Sequence, residues 1–152
     1  MTLKDQLNED LKTAMRSGDE TRKSVIRLLR SAILNAEKSG IREPIVLDDD
    51  GVITVLSRQA KQRRDSIEAF RQGGRQDLVL KEEAELEIIT EYLPKQMTEE
   101  EVRSLAINAI KDVVASGPKE MGKVMASLMP KIKGRVDGKI VREIVTDLLE
   151  SL

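Results

Sequence analysis

The chain has 152 residues, enough for one ordinary domain or two small ones, and 26 Lys and Arg nearly balance 27 Asp and Glu. A globally basic nucleic-acid binder is thereby excluded, although local basic patches are not. His, Cys and Trp are absent and Phe70 and Tyr92 are the only aromatics, which removes thiolate and imidazole metal ligands, a Cys nucleophile, the usual general base and any stacking platform for bases.

The N-terminus MTLKDQLNEDLK is amphipathic rather than a signal segment, and no apolar run approaches the ~18 residues of a membrane span, so a soluble cytoplasmic protein is the expectation. Leu3, Leu7, Leu11 and Ala14 lie on one helical face and predict a first helix over 2–16, closed by Ser17-Gly18-Asp19. From Asp19 or Thr21 a broad stripe of Val25, Ile26, Leu28, Leu29, Ala32, Ile33 and Ala36 predicts a second, ending at Ser39-Gly40. Residues 41–47, with Pro44, read as a loop. Asp48, Asp49 and Asp50 then place capping carboxylates before a third helix that runs to Gln72. Three consecutive acids do not converge on one ion, so capping is the better reading than a magnesium site.

After Gly73-Gly74, Asp77 is positioned to cap a fourth helix carrying Leu78, Leu86, Ile89 and Leu93 inward, with Pro94 as its stop. Thr98 and Glu101 form a capping box for a fifth that ends at Gly117-Pro118. Two more follow, at about Lys119–Lys131 with a Met-rich stripe and about Asp137–Ser151. No segment beyond Glu43–Leu47 resembles a strand. The expected fold is all-α, seven helices in two bundles: an N-terminal four-helix domain over 1–95 and a C-terminal three-helix domain over 96–152.

Three groups of residues invite chemistry. On the second helix Lys23, Arg27 and Arg30 form a basic ridge opposite the apolar stripe, suited either to solvent or to phosphates. Arg63 falls inside the apolar stripe of the third helix and needs a carboxylate, an edge or a ligand cleft. The strongest local bias runs from Lys119 to Arg142. It holds Lys119, Lys123, Lys131, Lys133, Arg135, Lys139 and Arg142 against Glu120 and Asp137. Its centre, punctuated by Gly134 and Gly138, leads into a helix N-terminus whose free N–H groups can receive a phosphate unless Asp137 occupies them as a cap. The G-x-x-x-G-K spacing there is one residue short of a P-loop, lacks its Ser or Thr and follows a helix, so a nucleotide P-loop is rejected. No carboxylate pair stands out for acid–base work and no metal site is expected. The Met stripe fits core filling or an adaptable docking surface.

The stretches RLLRSAI (27–33), ELEIITEYLPKQ (85–96) and MGKVMASLMPKIKGRVDGKIVREIV (121–145) resemble the YqeY-like proteins of the GatB/YqeY group over essentially the whole length. The resemblance implies an all-α protein whose C-terminal part is similar to the tail domain of the GatB component of the aspartyl/glutamyl-tRNA amidotransferase, a domain associated with tRNA. Carried over by motif, Lys123, Lys131, Lys133, Arg135, Lys139 and Arg142 correspond to the basic region implied for tRNA contact, and Gly122, Gly134 and Gly138 to its loop. The group is filed under carbon–nitrogen ligase activity with glutamine as amido donor. The resemblance covers only the helical tail of that amidotransferase component, transfers no catalytic residue and implies no cofactor. The reading is a non-catalytic tRNA-binding module, with a protein-interaction adaptor that docks on an amidotransferase or aminoacyl-tRNA synthetase as the alternative.

Overall fold

A computed structural model describes residues 1–40 and 42–152; of the loop expected at 41–47, Ile41 lies outside the described residues. Seven α-helices account for most of the chain: α1 (Leu3–Ser17), α2 (Glu20–Lys38), α3 (Asp49–Gln72), α4 (Gln76–Thr90), α5 (Glu99–Asp112), α6 (Met121–Ile132) and α7 (Gly138–Glu150). A single 3-10 turn, Pro118–Glu120, precedes α6. No strand occurs among the described residues, and residues 44–48 form no regular element. None of the described helices is long and apolar enough to cross a membrane. The fold is all-α.

Contacts divide the chain into two compact units, Met1–Pro94 and Lys95–Leu152. In the first, Leu7, Leu11, Ile26, Leu29, Leu56 and Ile89 anchor one buried cluster to which α1, α2, α3 and α4 all contribute. The periodicity that predicted α1 and α2 is what builds it, since residues at i, i+4 and i+7 share a face. In the second, Val102, Ala106, Val124, Leu128, Val141, Val145 and Leu149 make a separate core from α5, α6 and α7.

Helix starts follow side-chain chemistry. Thr2 and Asp5 close a reciprocal capping box on α1, Asp19 caps α2 through the Arg22 N–H, and Thr98 caps α5 through the Glu101 N–H. The three acids at 48–50 are used as caps and a tie. Asp48 accepts from the Gly51 N–H at 2.9 Å, and Asp49 accepts from the Leu3 N–H at 3.0 Å, tying the start of α1 to the start of α3.

The ends and inward face of α4 and the end of α5 depart from expectation. Asp77 does not cap α4: Arg75 holds the cap position without a side-chain bond. Asp77 lies in the first turn instead, where its carboxylate grips the Arg75 guanidinium at 3.2 and 3.1 Å and still complements the helix dipole. The helix ends at Thr90, before Pro94, so Leu93 lies beyond it; Ile89 is buried as expected, together with Val79 and Ile88, whereas Leu78 and Leu86 are only partly buried. Finally, α5 stops at Asp112, well before Gly117-Pro118, because Val114 turns into the left-handed region (φ 53°). The Ala115 N–H then bonds back to the Ile110 carbonyl at 3.0 Å, which closes the helix.

Candidate nucleic-acid interface

The three-helix unit positions its cations by what it buries. Val124, Leu128 and Ile132 face the core from α6, which turns Lys123 and Lys131 to solvent; Val141, Ile144, Val145 and Leu149 do so from α7, which exposes Lys139 and Arg142. Lys119, on the 3-10 turn, and Lys133, just past α6, are exposed as well. Lys119, Lys123, Lys131, Lys133 and Arg142 take part in none of the ion pairs among the described residues. In the four-helix unit Lys4, Lys12, Arg22, Lys23, Lys61, Arg63, Arg71 and Arg75 meet carboxylates, while other cations there do not.

The turn between α6 and α7 gathers only part of the basic set. Lys131 and Lys133 arrive from the end of α6, and Lys139 and Arg142 leave on α7. Lys123 lies eight residues up α6 from Lys131, a rise of about 12 Å, and Lys119 lies farther still.

Arg135 has a different task. Its guanidinium Nε donates to the Lys95 carbonyl at 3.0 Å, and its own carbonyl accepts from the Met97 N–H at 2.8 Å. Beside it the Gln96 amide donates to the Gly134 carbonyl at 2.8 Å. The segment that opens this unit is thus stitched to the α6–α7 turn. Gly134 holds φ +73°, a conformation that costs an L side chain roughly 1 kcal/mol or more, so glycine is needed there. At Gly138 a Cβ would meet nothing within 4 Å, so sterics impose no such need.

The N-terminus of α7 is spoken for. Asp137 accepts from the Lys139 N–H through its carboxylate at 3.1 Å, and its carbonyl accepts from Ile140 and Val141. With the Asp137 carboxylate on the Lys139 N–H and its carbonyl on the next two, a phosphate gains little from this helix end, and anion contact falls mainly to the lysine and arginine side chains.

Arg63 is 14% exposed and sits between α3 and α4 with Glu85 Oε2 at 3.0 Å and Glu82 Oε2 at 3.4 Å, so a pair of carboxylates explains it. In the α6 stripe Met121 and Met125 pack on the core, leaving Met129 half exposed. No group of three or more acidic residues suited to a metal ion occurs among the described residues.

On α2, Lys23 pairs with Glu20 at 3.4 Å, while Arg27 and Arg30 are exposed and unpaired. Both line a cleft of about 490 Å³ between α1 and α2, a feature that sequence reasoning missed because its other wall is twenty residues away. The Lys4–Glu37 ion pair lines the same cleft. Glu37 also accepts from the Leu47 N–H at 2.8 Å. Bonds from Lys4 and Leu47 hold its carboxyl below the ordinary carboxylate value.

The YqeY family model, described as Yqey-like protein, matches residues 4–149. The protein named altered inheritance of mitochondria protein 41, mitochondrial, of Pyrenophora tritici-repentis is 36% identical over 132 residues, 86% of this chain and 71% of that protein. Its namesake in Eremothecium gossypii is 40% identical over 87 residues, 57% of this chain and 46% of its own length. That of Lachancea thermotolerans is 38% identical over 114 residues, 74% of this chain and 60% of its own. The chain therefore matches between about half and seven tenths of the length of these relatives. All three are named as mitochondrial proteins, which overturns the cytoplasmic expectation: an amphipathic N-terminus and the absence of an apolar span did not bear on the compartment. With a family model covering all but the first three and last three residues, and a relative above 30% identity over most of the sequence, the chain belongs to the YqeY-like protein family.

Proposed function

We propose that this protein is a non-catalytic tRNA-binding module related to the tail of the GatB component of the tRNA-dependent amidotransferase, with its RNA-contacting surface on the C-terminal helices. One observation carries this reading: five exposed cations, Lys119, Lys123, Lys131, Lys133 and Arg142, stand without carboxylate partners in a stretch whose only acids are Glu120 and Asp137, within a chain of formal net charge −1. Unpaired cations are available to displace the counterions of a phosphate backbone. The shortage of aromatics directs such contact to backbone and shape rather than to stacked bases. The adaptor alternative has less support, since of the Met stripe only Met129 is substantially exposed.

The test is a titration of the full chain with unfractionated tRNA and a length-matched duplex, over about 50–200 mM salt. Binding is expected to prefer tRNA and to weaken steeply with salt. Replacing Lys131, Lys133 and Arg142 together by Ala is expected to weaken it and to reduce the slope of log K against log salt by up to about 0.9 per lost phosphate contact. Affinity and slope that do not change in the triple variant remove this surface from the interface, and no binding at low salt ends the reading.

A further inference from the structure

The α1–α2 cleft has the makings of a second, separate site. Its rim carries Arg27 and Arg30, three residues apart on α2, with Ser31 beside them. Side chains at that spacing are neighbours on a helix surface, about 5–6 Å between Cβ atoms, so both guanidinium forks and the hydroxyl can close on one group. The floor is apolar, formed by the buried Leu7 and Ile33. Leu34 extends this apolar wall toward solvent although it is half exposed on a charged helix face, where folding gains little from a leucine. The volume, about 490 Å³, lies in the range of small-molecule sites.

Charge selects the ligand. The Lys4–Glu37 pair in the cleft is neutral as a unit, leaving the two arginines as its unbalanced charge. A phosphate monoester carries about −1.5 to −2 at neutral pH and presents three acceptor oxygens, which suits two arginine forks and a serine. A backbone phosphodiester carries a single charge, and a polymer makes no use of the apolar floor. We infer that the α1–α2 cleft binds a small phosphate monoester, the phosphoryl group held by Arg27, Arg30 and Ser31 and a partly apolar body lying against Leu34 and the floor. The site lies in the four-helix unit and does not depend on the tRNA reading.

The experiment is an amide-resolved NMR titration of the full chain with adenosine 5′-monophosphate, using adenosine and a short oligoribonucleotide without terminal phosphates as the other two arms. The monophosphate is expected to give saturable shifts at Arg27–Leu34 and in the first turns of α1, and adenosine none. R27A/R30A is expected to weaken the monophosphate at least about tenfold, and R27K/R30K, which keeps charge but loses the forks, to weaken it less. Both arginines are exposed, and circular dichroism checks that the helices persist. The inference is overturned if the monophosphate gives no saturable shift there, if adenosine gives the same shifts, if only the oligoribonucleotide acts, or if R27A/R30A leaves the curve unchanged.

Discussion

Tyr92 is the chain's single tyrosine, and the chain has no tryptophan, so its ionisation can be followed without interference. Its ring is buried in the first core and its hydroxyl donates to Asp10. Burial, then the bond to Asp10, raises its pKa well above the ordinary 10.0. A group that is neutral when folded and readier to ionise when unfolded lends stability that is complete below the unfolded value and fades as pH climbs past it. The phenol is therefore expected to resist ionisation beyond pH 10 and to ionise in step with loss of helical signal, as paired absorbance and circular dichroism titrations will read. A simple titration at 10 with helices intact would contradict the burial argument. The cost of Arg63 is also decided at this scale. That it sat within the apolar stripe was legible from spacing, whereas Glu82 and Glu85 as its partners were not, because they arrive from α4, some twenty residues away.

Among the elements, α3 and α5 start at the capping residues read from sequence, and α2 at Asp19, one of the two starts read for it, because an N-cap is a local bond between near neighbours and is written in local sequence. The end of α5 was illegible for the opposite reason. Gly117-Pro118 is the strongest punctuation in that stretch, yet the chain turns at Val114, a β-branched residue 81% exposed in a left-handed conformation. Nothing in Val113-Val114 announces such a turn, since isolated valines avoid it. Relief of that strain is measurable: Val114→Gly is expected to stabilise the protein by about 1 kcal/mol in urea unfolding, with the loss of a solvent-exposed side chain costing little. Destabilisation instead would mean that the valine side chain has a packing role.

Across the whole molecule, the helical bundles were readable because each buries its own stripe, and the two separate cores follow from the same periodicity. The candidate interface was readable as a count of cations but not as a surface, because side chains such as Arg135 are claimed by partners some forty residues away. Two cores also predict localised damage. Leu128 is fully buried in the second, and Leu128→Ala is expected to cost roughly 2–5 kcal/mol. Hydrogen exchange should then accelerate chiefly across Lys95–Leu152, and uniform acceleration over the whole chain would show the units to be one cooperative block.

The stitching of Lys95, Gln96 and Met97 onto Gly134 and Arg135 bears on kinetics as well as shape. A turn fastened in this way has surrendered its conformational freedom during folding, so a partner that lands on it is not charged that entropy again. For the proposed tRNA contact, encounter would then require no loop rearrangement: its rate would be governed by long-range attraction between the flanking lysines and the RNA, and the fastening would show itself in how long the complex lasts.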